Sequence, residues 1–253
     1  MIPSIHNWCD RWCERCPYID RCSVGVLERK RWAKGRELSD MEVWLEVQEN
    51  FQEALQMLDE MIREAGFDPE EIKHEPRPEP DQETEALGKK WFDDGIRYFK
   101  AMDAFFKNNE AFFKSKDTDM ELQVEMKIPI DVEGWNNLSD AIEIIRQYAS
   151  FIPVKGRRAI SGLSRMEEEY WDSPQQSDGN GSAKITMIAI ERSLGAWEIL
   201  RKHWPEKTDE IIDMLVHLNQ LRREMARLFP DWQQFIRPGF DTEPPQFARF
   251  EPN

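Results

Sequence analysis

A helical repeat of apolar residues over most of its length constrains this chain more than any other feature. In residues 41–62 apolar side chains recur every three or four positions, and residues 85–114 continue the pattern with closely spaced aromatic residues. This spacing places one apolar stripe along one face of a helix. Valine and threonine, which favour strands, are scarce, with 8 and 5 copies in 253 residues. The sequence therefore predicts an all-α protein.

The same periodicity predicts four further helices, at residues 138–152, 157–171, 183–203 and 209–229. We expect breaks at Pro153 with Gly156 and at Pro205, because proline removes a backbone donor. The polar stretch 172–182 predicts a mobile loop. Strict alternation of apolar and polar residues in 120–130 predicts an extended segment on the bundle, or a strand that pairs across a dimer. Six main helices with short connections favour an antiparallel bundle.

The length of 253 residues fits one large domain or two small ones. We divide the chain into a cysteine-rich metal-binding segment packed on the bundle (1–36), the helical bundle (37–230) and an irregular tail (231–253). No apolar run is long enough to span a bilayer, and the first residues lack the apolar stretch of a secretory signal. The sequence therefore predicts a cytoplasmic protein that does not contact the membrane.

All four cysteines lie within the first 22 residues, in the spacing C-x3-C-x2-C-x5-C: Cys9, Cys13, Cys16 and Cys22. In a reducing cytoplasm such a group is more typical of a metal site than of disulfides. Four thiolates suit either a tetrahedral zinc ion or a [4Fe-4S] cluster. Pro17 favours the cluster, because proline often follows a ligand in ferredoxin-type runs, whereas structural zinc sites more often separate two C-x2-C pairs.

We therefore predict a [4Fe-4S] cluster on these four thiols, with zinc as the alternative cofactor. A cluster with four thiolates has no free iron, which favours a structural, electron-transfer or redox-sensing role over substrate binding at iron. His6, three residues before Cys9, is an alternative ligand or a donor to a sulfur.

The piece CERCPYIDRC, which reads C-x2-C-P-Y-x3-C, resembles the cluster-binding segment of the iron-sulfur nucleases of CRISPR adaptation and of bacterial helicase-nucleases. It is also similar to half of a SPASM domain. The resemblance covers residues 13–22 and implies a cluster at Cys13, Cys16 and Cys22. In those nucleases the fourth ligand lies far upstream, whereas here Cys9 is adjacent. The carboxylate and lysine motif of the nucleases has no counterpart, so nuclease activity is not implied.

The piece from Cys9 to Cys16, C-x3-C-x2-C, is similar to the signature of radical-SAM enzymes. Arg15 stands where that family usually has an aromatic residue, and Cys22 would fill the iron that the family leaves open. Elsewhere, Asp213 and His217 stand one helical turn apart, the spacing of an oriented base, of a two-point metal grip or of a plain surface contact. Motifs of common hydrolases, nucleotide triphosphatases and dinucleotide enzymes are missing, so the sequence leaves enzymatic activity undecided.

The net charge is −15, yet residues 1–36 carry 8 basic and 4 acidic side chains. Arg29, Lys30 and Arg31 are candidates for binding phosphates or an acidic partner, with packing against the acidic body as the alternative. Lys155, Arg157 and Arg158 are candidates for binding an anion, with a solvated helix end as the alternative. The overall acidity argues against nucleic acid as a binding partner. For an iron-sulfur protein, the expected partners are a redox protein or a second copy of the chain. A zinc module would instead dock a protein or nucleic acid through its basic segment.

Overall fold

The computed structural model describes residues 1–33, 81–115, 132–165 and 174–241, together with positions 52, 55, 59, 63, 125 and 126. Within these residues five α-helices have both ends described: α1 (Ser23–Ala33), α2 (Gln82–Asn108), α3 (Val132–Ser161), α4 (Asp178–His203) and α5 (Thr208–Leu228). Residues 110–115 are also helical. Short 3-10 helices lie at Ile5–Asn7, Cys13–Arg15, Ile19–Arg21, Leu163–Arg165, Pro174–Gln176, Pro205–Lys207 and Trp232–Gln234. No strand occurs among them, and the prediction of an all-α fold is confirmed.

Helices α2 to α5 form an antiparallel four-helix bundle, in which each helix packs on the next and α5 closes against α2. The direction of each pair follows from contacts between distant residues. Arg158 near the end of α3 binds Asp178 at the start of α4. Lys90 near the start of α2 binds Glu224 near the end of α5. A 3-10 turn that begins at Pro205 reverses the chain between α4 and α5, as short connections in bundles do.

Aromatic side chains fill the bundle core. Trp91, Tyr98 and Trp197 are fully buried, and the indole Nε1 of Trp197 donates a hydrogen bond of 2.9 Å to the hydroxyl of Tyr98. The ring of Phe105 meets the Trp197 ring edge to face at a centroid distance of 5.1 Å. Burial of one such side chain stabilises a fold by about 1.5–3 kcal/mol, so the aromatic core is a main source of the stability of the bundle.

The predicted break at Pro153 and Gly156 is wrong, because α3 runs unbroken to Ser161 with the proline inside it. Both residues lie where α3 meets α2. A Cβ added at Gly95 would come within 2.6 Å of the Pro153 Cβ, and one added at Gly156 would overlap the Trp91 ring. The Trp91 Nε1 also donates to the carbonyl of Ile152 at 3.4 Å. Close packing against α2 thus offsets the backbone hydrogen bond that proline removes.

The predicted mobile loop at 172–182 is also corrected from position 174 onward. Ser177 caps α4 by accepting a hydrogen bond of 3.2 Å from the backbone of Asn180, and the first turn of the helix is buried. Gly181 leaves room for the rings of Trp8 and Phe235, and Gly179 packs against Phe229. In the sequence these small residues are typical of a solvent-exposed loop. In the structure they allow three parts of the chain to approach closely.

Two predictions fall largely outside the described residues. In the predicted helix 41–62 only positions 52, 55 and 59 are described, and they are helical. In the predicted extended segment 120–130 only positions 125 and 126 are described, as a helical and a turn residue. No helix in the described ranges is long and apolar enough to cross a membrane.

Candidate metal centre

The four cysteines are carried by short turns at the start of the chain. Cys13 begins a 3-10 helix, and the backbone N–H of Cys16 closes that turn on the Cys13 carbonyl at 3.2 Å. Cys22 ends the next 3-10 helix and precedes α1, whose first turn closes when the Val26 N–H donates to the Cys22 carbonyl at 3.0 Å. These turns place all four thiols and His6 around one cavity.

This cysteine cavity has a volume of about 20 Å³ and apolar walls. Ile5, Ile19 and Phe240 are among the side chains that line it. Cys22 is buried, and the other three cysteines are half-buried. A cavity of this size holds about one water molecule.

Backbone N–H groups lie beside three of the sulfurs. The N–H of Gly25 donates to the Cys22 Sγ at 3.4 Å, and the N–H groups of Arg11 and Tyr18 interact with the sulfurs of Cys9 and Cys16. A Cβ at Gly25 would come within 2.5 Å of the Ile19 carbonyl oxygen, so only glycine fits there. Such donors stabilise a thiolate, and in metal centres they help to set the potential.

The thiols of this cavity affect one another. Burial, together with the neighbouring sulfurs of Cys9 and Cys16, raises the pKa of Cys13 to about 11. Burial likewise raises the pKa of Cys9 and of Cys16. A bound metal cation would reverse this effect, because coordination deprotonates a thiol.

The four thiols line the same cavity, but they do not converge on one point. In the described part of the chain, no group of three or more His, Cys, Asp or Glu side chains has the geometry to hold a metal ion. The His6 carbonyl oxygen accepts a hydrogen bond of 3.5 Å from the Cys9 thiol. The donor set itself, four sulfurs around one space, fits a group that takes one thiolate on each of several metal atoms.

Polar contacts attach the cysteine segment to the bundle. Asp10 accepts hydrogen bonds from the Tyr148 hydroxyl at 2.9 Å and from the Arg192 guanidinium at 2.6 Å. Lys155, buried on α3, donates to the Asn7 carbonyl at 3.0 Å. Sequence reasoning missed the group of Asp10, Tyr148 and Arg192, because its members lie far apart in the chain and no local motif marks them.

The six predicted anion-binding residues lie on two different helices, and most of them have partners within the chain. On α1, Arg29 pairs with Asp20 and Arg31 with Glu28 at 3.1 Å, while Lys30 is exposed. On α3, where Lys155 binds the Asn7 carbonyl, the guanidinium of Arg158 forms two hydrogen bonds with Asp178, and that of Arg157 lies 5.7 Å from the Phe92 ring centre. Anion binding by these residues stays a prediction.

The Asp213 and His217 side chains have different surroundings on α5. Asp213 is exposed. His217 is half-buried, and its ring meets the Tyr98 ring edge to face at 5.9 Å. Burial lowers the pKa of His217, and Arg97 lowers it further, while a hydrogen bond to the Asp94 carbonyl acts in the opposite direction. His217 is therefore a packing residue between α2 and α5.

The fold and the site together define a class of protein. Over the described residues it is an antiparallel bundle of helices α2 to α5 that carries an N-terminal segment with four cysteines around one cavity. No family model, no curated protein and no solved structure matches this chain. A function must therefore be argued from the site itself.

Proposed function

We propose that Cys9, Cys13, Cys16 and Cys22 bind a [4Fe-4S] cluster, and that the chain is an iron-sulfur protein with a structural, electron-transfer or redox-sensing role. The observation that carries this proposal is that all four thiols of the chain line one cavity with apolar walls. A four-iron cluster takes one thiolate on each iron, so the donor set fits in number and in chemistry. When bound, the cluster supplies one-electron chemistry or a cross-link between the turns.

The residues around the thiols suit this role. The N–H groups of Arg11, Tyr18 and Gly25 favour charged sulfurs. Cys22 directly precedes α1, and the Gly25 N–H in the first turn of that helix donates to the Cys22 sulfur. Ile5 and Phe240 line the cavity with apolar surface, which lowers the local dielectric constant.

A second candidate is a structural zinc site on the same thiols, and the small volume of the cavity favours it. Zinc–sulfur bonds of about 2.3 Å would draw the four sulfurs inward, whereas a four-iron cluster would push them apart. In this alternative the exposed basic residues of α1, which include Arg29, Lys30 and Arg31, dock a protein or nucleic-acid partner. Such binding would weaken as the salt concentration rises.

Metal and sulfide analysis of protein purified without oxygen separates the two candidates. The cluster predicts about four iron and four acid-labile sulfide per chain, with a broad visible absorption that dithionite bleaches. One zinc per colourless chain would replace the cluster with the second candidate. Protein with neither metal, isolated folded under these conditions, would contradict both.

Single substitutions test the ligand assignment. Each of the four cysteine-to-serine changes should lower the metal content sharply. Glu14→Gln is the matched control, because Glu14 is exposed in the same segment. His6→Asn should also keep the metal if Cys9 is the fourth ligand. A Cys16→Ser protein with the metal content and circular dichroism of the wild type would show that the assignment is wrong.

A further inference from the structure

A second and larger space adjoins the cysteine cavity, between the cysteine segment and helices α3 and α4. This interface groove has a volume of about 490 Å³, within the range of small-molecule sites. Cys16 and Trp12 line both the groove and the cysteine cavity. A molecule in the groove would therefore lie directly beside one of the proposed ligands.

Four of the side chains that line the interface groove are aromatic. Trp12 meets Tyr148 edge to face at 6.0 Å, and Tyr18 meets Phe240 edge to face at 5.1 Å. Ile144 adds an aliphatic side chain to these walls. Flat aromatic molecules gain most from such surfaces, because they bury a large area at little cost in conformational entropy.

Arginine donors supply the polar part of the groove. One terminal nitrogen of Arg192 donates to both Asp10 and Tyr148, which fixes the guanidinium in place. Its Nε and its second terminal nitrogen have no hydrogen-bond partner among the described residues. The guanidinium of Arg15 lies 4.4 Å from the centre of the Trp12 ring. The groove thus offers oriented N–H donors next to aromatic faces.

The charges around the groove favour an uncharged ligand. Asp10 accepts from Arg192 at 2.6 Å, while Asp140 and Glu143 accept from Arg15 at 2.9 Å and 2.5 Å. Three carboxylates therefore exceed the two guanidinium groups by one negative charge, which disfavours an anion in the groove. An anionic ligand would compete with these carboxylates, whereas neutral carbonyl acceptors can use the remaining N–H groups without displacing them.

We propose that the interface groove binds a flat, uncharged heteroaromatic ring that carries carbonyl oxygens. The ring packs against the aromatic walls, its carbonyl oxygens accept hydrogen bonds from Arg192, and its edge lies beside Cys16. This inference depends on the groove alone. It holds whichever metal the cysteines bind, and the metal analysis described above cannot decide it.

Riboflavin is a suitable probe, because its ring system is flat, neutral and fluorescent, and has two carbonyl groups. Titration with the metal-loaded full chain should quench its fluorescence as the ring stacks on the aromatic side chains. Ile144→Trp should weaken binding by about tenfold or more, because it fills the groove. Val216→Trp is the matched control, since Val216 is exposed on α5 outside the groove. Quenching that is absent, or equal in the two variants, would overturn the proposal.

Arg192→Lys tests the polar part of the site without removing its charge. It should weaken riboflavin binding by about fivefold to tenfold, because lysine lacks the planar fork of donors. Circular dichroism and metal content equal to those of the wild type would establish that the variant is folded. Flavin mononucleotide, which adds a phosphate, should bind no more tightly than riboflavin. A clear preference for the phosphorylated molecule would overturn the assignment of an uncharged ligand.

Discussion

The bundle and the cysteine segment differ in what stabilises them. In the bundle, large side chains such as Trp91, Trp197 and Phe229 are fully buried between four long helices. The core of the cysteine segment consists of Ile5, Tyr18 and Cys22, at the ends of short 3-10 turns. Apolar burial grows with size, and a unit of about 30 residues rarely folds without a metal, a disulfide or a larger neighbour. The comparison indicates that the bundle folds by itself and that the segment requires support.

The structure shows one source of that support, which is the surface of the bundle. Asp10 binds Tyr148 and Arg192, and Lys155 binds the Asn7 carbonyl. Trp8 adds an apolar contact, with its ring centre 5.0 Å from that of Phe235. A bound metal would be the second source, because its binding energy adds to the stability of the turns that hold it. Four changes test whether the bundle is stable by itself while the segment requires support, from the largest expected effect on the bundle to the smallest.

The largest effect is expected from Trp197→Ala in the bundle core. The change removes a fully buried ring and the indole N–H that donates to the Tyr98 hydroxyl. We expect the free energy of unfolding to fall by about 3–5 kcal/mol, as measured by urea denaturation with circular dichroism. Trp32→Ala, at an exposed position of α1, is the control and should change it by less than about 0.5 kcal/mol. Equal effects of the two changes would contradict the assigned core.

A smaller effect is expected where α3 packs on α2. Gly156→Ala places a methyl group into the Trp91 ring and should destabilise the bundle by about 1–3 kcal/mol. Gly195→Ala is the matched control in α4, where no atom lies within 4 Å of the added Cβ. This control should stabilise the protein by about 0.5–1 kcal/mol, because alanine favours helix. The same sign of change at both glycines, in urea denaturation, would refute the proposed close packing at Gly156.

These glycines also show which features of the fold can be predicted from the sequence. Helix α5 is predicted at 209–229 and observed at Thr208–Leu228, because apolar periodicity is a local signal that the bundle preserves. The break predicted at Pro153 fails, because the role of that residue depends on Gly95 in another helix. The glycine-rich start of α4 is predicted to be a loop, because the local sequence does not show its contacts with distant residues. Its small residues leave room for the rings of Trp8 and Phe235.

The candidate site likewise has one part that the sequence predicts and one part that it does not. The spacing of the cysteines predicts that they act together, and the structure places all four around one cavity. The interface groove was not predictable, because it forms from three parts of the chain that meet only in the fold: Trp12 in the segment, Tyr148 in α3 and Arg192 in α4. A spacing within one stretch of sequence can be recognised, whereas a surface formed by distant residues requires the tertiary structure.

The contact between the two regions should weaken at alkaline pH. Burial, together with the charge of Asp10, raises the pKa of Tyr148 to about 12. The folded state favours the neutral phenol, so this stabilisation is complete below the unfolded pKa of about 10 and is lost as the pH rises through 12. We expect the free energy of unfolding to fall by about 1 kcal/mol between about pH 9 and pH 11 on account of Tyr148.

The control for this pH dependence is Tyr148→Phe, because the buried Tyr98 also has a raised pKa and titrates in the same direction. Urea denaturation at each pH gives the difference between the wild type and the variant, which isolates the contribution of Tyr148. Asp10→Asn should reduce that contribution, since it removes the charge that opposes ionisation. A parallel decline of the wild type and Tyr148→Phe would mean that the hydroxyl of Tyr148 does not link the two regions.

The smallest effect on the bundle is expected from metal removal. This experiment compares the stability of the bundle with that of the cysteine segment most directly. Stripping the metal with a chelator should change the unfolding free energy of the bundle by less than about 1 kcal/mol, because its core contains none of the cysteines. Tryptic cleavage within the segment, after Arg11 and Arg21, should accelerate by about tenfold, since turns without a metal open more often. Mass spectrometry of the fragments locates each cleavage. Loss of both regions together would show instead that the segment and the bundle form one cooperative unit, and that the polar contacts of Asp10 transmit the effect of the metal to α3 and α4.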